Sequence, residues 1–259
     1  MNPVYMQSFL LFLTFYMGAC IGSFLNVVID RLPRSISFMK GRSYCPECDH
    51  TLSVSDLFPV FSFLLLKGRC RYCGAKINPR CFLVETLFGL ATFLSFYKYD
   101  FTLFAAMQVV FWSMLLVVGM IDFDTMYIYD AMLLFYLIIF IVYTLIFDKI
   151  SLLSNVKGAV VSVLLYALIY FLSKIIYKRE AFGVGDVLLN GVLGFYLGVD
   201  NIFFICFLPF YIAIFDLILR RLIIGELSFK SEISFGPFMC ISAWLISLYG
   251  DNLRMLFRL

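Results

Sequence analysis

The chain has little charge: Asp, Glu, Lys and Arg make up 14% of its 259 residues, against about 25% in an ordinary soluble domain. That scarcity excludes a separate soluble enzyme domain, and a formal net charge of +3 gives nucleic-acid binding no support from bulk electrostatics. Histidine occurs once, at His50, so Ser-His and Cys-His nucleophilic sets are not on offer. The glycines form neither a dinucleotide fingerprint nor a phosphate loop ending in Lys-Ser or Lys-Thr. No basic stretch precedes the first apolar run and no small-residue cleavage pattern follows it, so Tyr5 to Ile29 reads as a retained first span. No low-complexity tail and no internal repeat is visible.

What is abundant is apolar surface: 63% of the residues are hydrophobic. Since about 20 apolar residues cross a bilayer as a helix, the composition predicts an all-α polytopic membrane protein. Apolar segments at Phe82 to Tyr97, Phe101 to Ile121, Ala131 to Phe147, Gly158 to Ile176, Val187 to Val199, Ile202 to Leu219 and Phe235 to Leu248 follow the first. The expected count is therefore about eight transmembrane helices. The chain divides into a first transmembrane helix (1–29), a polar loop (30–80) and a bundle of about seven helices (81–259). Nine Lys or Arg against four acids between Asp30 and Arg80 place that loop in the cytoplasm. Alternating spans then put Asp122, Asp186 and the basic clusters Lys174, Lys178, Arg179 and Arg220, Arg221 on the same inner side. Within the loop, Leu57 to Leu66 is apolar but too short to span, and is expected to be a packed or interfacial element.

Four of the eight cysteines form two pairs, Cys45-Pro46-Glu47-Cys48 and Cys70-Arg71-Tyr72-Cys73, separated by 21 residues. Two such knuckles present four thiolates to one tetrahedral zinc, because the two intervening residues turn both sulfurs of a pair toward one ion. An iron-sulfur cluster would use the same ligands, and two disulfides do not suit a cytoplasmic loop. Four thiolates leave no open position for water, so this Zn2+ is structural. His50 is a competing ligand, with a solvated histidine as the alternative.

The second signal is acidic. Asp122, Asp124 and Asp130 are wedged between two apolar segments, and Asp186 closes the string Gly183-Val184-Gly185-Asp186 at the start of another. Carboxylates at a membrane boundary are costly and therefore functional candidates. The ordinary alternative is solvation or helix capping. Two facing carboxylates repel, titrate apart and so supply a base and an acid at one pH. A proton or ion relay would use the same residues without hydrolysis, as in an ion-coupled membrane transporter.

These motifs resemble the prepilin peptidase family, the membrane aspartic peptidases that process type IV prepilins and pilin-like proteins. The matching features are Gly22-Ser-Phe-Leu-Asn26-Val-Val-Ile-Asp30-Arg31-Leu-Pro33, the two knuckles with Arg42 just before the first, Ile121-Asp122 followed by Asp130, and Gly183-Val-Gly-Asp186. The resemblance implies that Asp122 and Asp186 are catalytic and that a basic leader is removed after glycine. The substrate would be a type IV prepilin or pilin-like precursor, at the cytoplasmic face of a bacterial inner membrane. It further implies N-methylation of the new terminus from S-adenosyl-L-methionine, with Asn26, Arg31, Arg42 and Glu85 as cofactor-binding or scaffold residues. Gly18 and Gly22 belong either to that half or to a small-residue packing face. Arg80 is the expected partner of Glu85, and Glu47, Asp49 and Asp56 are expected to meet the basic leader. The chain departs from the family pattern at Tyr129, where proline precedes the second aspartate, and at Val187, where lysine often follows the fourth motif. A presenilin-like intramembrane protease shares the GxGD motif and is the nearest competing reading.

Overall fold

The computed structural model describes residues 3–177, 182–224 and 233–257. Lys178 and Arg179 of the expected inner basic cluster lie outside the described residues. The chain forms two compact units, Met1–Ser113 and Met114–Leu259.

The first unit holds α1 (Pro3–Arg31), a short 3-10 turn (Val54–Leu57), α2 (Phe61–Leu65), α3 (Pro79–Tyr99) and the first half of α4 (Leu103–Thr125). The second holds the rest of α4, then α5 (Asp130–Phe147), α6 (Leu152–Tyr177), α7 (Val184–Leu197), α8 (Ile202–Ile224) and α9 (Gly236–Phe257). Among the described residues six helices are long and apolar enough to cross a membrane, not the eight expected. The two shortfalls have separate causes. With 14 residues, α7 is only about 21 Å long, short of a hydrocarbon core of about 30 Å. With 22 residues α9 is long enough, but Pro237, Ser242, Ser247, Asp251, Asn252 and Arg254 along it make it too polar.

Within the first unit α1 and α3 run antiparallel and close. A Cβ on Gly22 would lie 3.1 Å from the Glu85 Cα, and one on Gly89 would lie 2.9 Å from the Phe15 carbonyl oxygen. Gly18 meets Thr92 and Gly89 in the same way, so Gly18 and Gly22 form a small-residue packing face. The start of α3 is set by Asn78, whose side chain accepts the Arg80 N–H at 3.0 Å, with Pro79 in the first helical position.

In the second unit α6 and α7 meet through Gly158, Gly191 and Gly194; a Cβ on Gly191 would lie 2.6 Å from Val163 Cγ2. Buried polar groups tie α7 to α6 and α6 to α8. The Asn190 amide donates to the Ser162 carbonyl at 3.3 Å, and the Tyr166 hydroxyl to the Cys206 carbonyl at 3.2 Å. On the exposed side Arg220 pairs with Asp216, one turn before it.

Candidate active site and metal centre

Asp122 lies in the last turn of α4, where the helix ends at Thr125 and Met126 turns the chain with φ of +54°. Its side chain is nonetheless buried, at 5% exposure, beside Ile121 at 0%. Asp186 occupies the third position of α7 and is also buried. Its Oδ2 accepts the Gly183 N–H at 3.1 Å, which satisfies a donor that the helix start leaves open. Gly185 lets the turn after α4 settle on α7, since a Cβ there would come within 3.0 Å of the buried Ile128. The glycines of the GxGD string thus have separate jobs: one amide holds the carboxylate and one missing side chain admits Ile128.

The two carboxylates, 64 positions apart in sequence, are close enough to repel each other, and both act on the buried thiol of Cys240 in α9. Asp122 Oδ2 accepts the Gly236 N–H at 2.9 Å, from the first residue of α9. Each aspartate therefore receives one backbone N–H on one oxygen. Gly236 was not singled out by sequence reasoning. The available signal was Gly236-Pro237 ahead of an apolar run, the pattern of a helix start. Asp124 and Asp130 are exposed, unlike the buried pair. Asp130 does not cap α5; the capping position is Tyr129 in extended conformation, and Asp130 follows as the first helical residue. There its charge complements the helix dipole.

In the loop the four thiolate sulfurs of Cys45, Cys48, Cys70 and Cys73 all lie within 4.8 Å of one another, with Cys45 and Cys73 at 3.8 Å. A tetrahedral zinc with bonds of about 2.3 Å separates its sulfurs by about 3.8 Å, so the donor set fits. The arrangement comes from a short repeat invisible in the sequence. Cys45 N–H donates to the His50 carbonyl and Leu52 N–H to Ser43; 25 residues on, Cys70 N–H donates to Ala75 and Ile77 N–H to Gly68. Only the cysteines are identical between the two halves. Asp49 takes φ of +54° where its counterpart Gly74 takes +73°. The Cys70 thiol is drawn down to about 7 by the N–H groups of Cys73 and then Tyr72, which readies it as a thiolate. His50 stands outside the sulfur cluster, its ring 3.7 Å from that of Tyr72.

Asp56 braces the second knuckle. It accepts from the Ser53 hydroxyl and backbone, from Arg71 Nε at 2.7 Å and from the Tyr72 hydroxyl at 3.0 Å. Burial acts to raise its carboxyl, but these bonds outweigh it and hold the group at about 2. Its side chain is only 4% exposed, which removes it from the acids expected to meet a leader. Glu47 and Asp49 remain exposed.

The four residues expected near a cofactor all bond to backbone of the first unit. Asn26 donates to the Cys81 carbonyl at 3.2 Å; Arg31 donates to the carbonyls of Ser37, Lys40 and Arg42; Arg42 donates to that of Leu52. Glu85 Oε2 accepts the Val60 N–H at 2.9 Å, a backbone partner that the expectation of Arg80 did not include.

Comparison with known proteins gives one consistent result. The profile of the bacterial peptidase A24 N-terminal domain matches residues 16–99, and that of the type IV leader peptidase family matches residues 109–218. Three proteins described as prepilin leader peptidase/N-methyltransferase are among the relatives. The one from Myxococcus xanthus is 34% identical over 183 residues, 71% of this chain and 55% of that protein. Those from Dichelobacter nodosus and Bacillus subtilis are 32% and 31% identical, covering 92% and 94% of this chain and 91% and 96% of their own lengths. No solved structure matches the chain.

Proposed function

The chain belongs to the type IV leader peptidase family, and from that premise we propose that Asp122 and Asp186 are its catalytic pair, cutting the leader from prepilin-type precursors. The carrying observation is the burial of both carboxylates in mutual electrostatic range, each steadied by one glycine amide. One carboxylate, ionised, takes a proton from water as the water oxygen bonds to the scissile carbonyl carbon. The other, protonated, gives its proton as the carbon-nitrogen bond breaks and the amine of the mature pilin leaves. The amides of Gly183 and Gly236 fix one oxygen of each aspartate and leave the second for water and substrate.

Cys45, Cys48, Cys70 and Cys73 hold a structural Zn2+, which would supply folding energy to a loop of 51 residues (30–80) with little core of its own. That loop faces the cytoplasm by its basic excess, where exposed Glu47 and Asp49 are placed to meet a basic leader. S-adenosyl-L-methionine, when bound, supplies the methyl group for the new N-terminus. Arg31 and Arg42 are the residues here suited to a carboxylate, since a guanidinium carries five donors. Asn26 keeps α1 on α3 beneath them.

The test is mass spectrometry of a pilin-like precursor incubated in membranes with the intact protein or Asp122→Asn, with and without S-adenosyl-L-methionine. A new terminus formed only by the intact protein, methylated only when the cofactor is present, supports both activities. Precursors that stay intact with either protein overturn the peptidase reading and favour an ion-relay role for the same carboxylates.

A further inference from the structure

The segment between the two knuckles contains a group of apolar side chains that the loop does not cover: Leu57, Phe58, Phe61, Leu64 and Leu65, the last 81% exposed. Against this outer face stands a buried tip, Pro59-Val60. The tip is unusual on two counts. Val60, a β-branched residue, holds φ at +65°, a region such side chains rarely enter. Its N–H is bonded to a carboxylate, Glu85 Oε2, which belongs to the apolar helix α3.

Helix geometry gives the depth of this tip. Glu85 stands six residues into α3, about 9 Å from its start at 1.5 Å per residue. Phe63 stacks on Phe82 near that start, with ring centres 4.8 Å apart, whereas Phe61 reaches Tyr16, 6.1 Å away. Tyr16 lies 15 residues from the loop end of α1, about 22 Å along its axis. The segment therefore runs inward along α1 and α3, both long and apolar enough to span, turns at Pro59-Val60 and returns as α2. At the return stand exposed Lys67 and Arg69.

We propose that residues 57–66 form a re-entrant hairpin in the bilayer, its outer apolar face in contact with acyl chains and its tip tethered by Glu85. Irregular backbone at membrane depth must find its hydrogen bonds within the protein, because hydrocarbon offers none. Glu85 supplies that bond to Val60, which also accounts for an acid inside an apolar helix. Lys67 and Arg69 then sit where lipid phosphates lie, and their charge suits an anionic headgroup. The occupant of the face is lipid, in preference to a pilin helix or a second copy, because the face runs beside the same helices that cross the membrane.

The test uses the full-length protein in vesicles of phosphatidylcholine and phosphatidylglycerol. Leu65→Trp adds a fluorophore to the outer face, and Glu47→Trp adds one to the first knuckle as an aqueous reference. Brominated acyl chains are expected to quench the emission added at position 65 while aqueous iodide leaves it unchanged, with the reverse at position 47. Iodide quenching at position 65 overturns the hairpin. Glu85→Ala is expected to expose the position-65 probe to iodide, and Glu85→Gln, which keeps an oxygen acceptor, is expected not to. A probe that stays protected in Glu85→Ala overturns the tether. Photocrosslinking from benzoylphenylalanine at Leu64 provides a readout independent of these variants: adducts to lipid support the hairpin, and adducts to added prepilin or to a second copy overturn it.

Discussion

The amide of Gly236 donates to Asp122 Oδ2 at 2.9 Å across 114 residues of sequence, so the first residue of α9 fixes a carboxylate at the end of α4. A side chain at position 236 would disturb this bond directly, because its Cβ would lie 2.6 Å from the accepting oxygen. Gly236→Ala is expected to lower kcat for leader cleavage by about 100-fold, the scale of a 1 Å displacement in an active site. KM should change little, since the change acts on the carboxylate. Steady-state cleavage at matched protein abundance checks this, and an unchanged kcat rejects the positioning role of Gly236.

Asp122→Asn and Asp186→Asn keep shape and remove proton exchange. Each is expected to reduce cleavage by at least about 100-fold while abundance stays near that of the intact protein. Mass spectrometry of the precursor terminus reads the loss. Substantial cleavage by either variant, with correct folding, contradicts the paired-carboxylate mechanism.

The double change Cys45→Ser and Cys48→Ser removes two of the four thiolates gathered within 4.8 Å. Purified protein should lose its bound zinc, and limited proteolysis should cut residues 30–80 at a protease level the intact protein resists. Metal analysis decides: zinc at one ion per chain in the double variant refutes the four-sulfur site.

Asp56 gives the loop an acid-sensitive brace. Its carboxyl is held at about 2 against an ordinary value of 3.8, so the folded loop favours the ionised form. The stabilisation is complete above about pH 4 and is lost as pH falls toward 2. Asp56→Asn should therefore lower the thermal midpoint of the loop by a few degrees (about 2–4 °C) at neutral pH, and the difference from the intact protein should close between pH 4 and 2. Thermal unfolding followed across that range checks the sign; a difference that widens on acidification contradicts it.

Much of the site could be read from residue type and spacing. Two CxxC pairs specify a four-sulfur set because a turn of two residues is local geometry, and the loop contains both. Carboxylates flanked by apolar runs mark themselves by their cost in lipid. Besides Gly236, three things escaped. The repeat that aligns Cys45 with Cys70 leaves no trace beyond the cysteines, since backbone bonds carry it. Asp56 looked like one more loop acid because nothing local shows that Arg71 and Tyr72 fold back onto it. For Glu85 the sequence offered Arg80 and not Val60, because the Val60 partner is a main-chain N–H, 25 positions away.

Composition alone determined that this chain lives in a membrane, and local pattern singled out the four cysteines that gather in the loop and the two aspartates that are buried. Both follow from the energetics of single residues in water or lipid, which need no knowledge of the fold. Only the tertiary structure decided that Gly236 holds Asp122, that Gly185 makes room for Ile128 and that Val60 is tied to Glu85. Those contacts join residues far apart in sequence through backbone groups, which every residue but proline carries alike, so no side-chain pattern announces them.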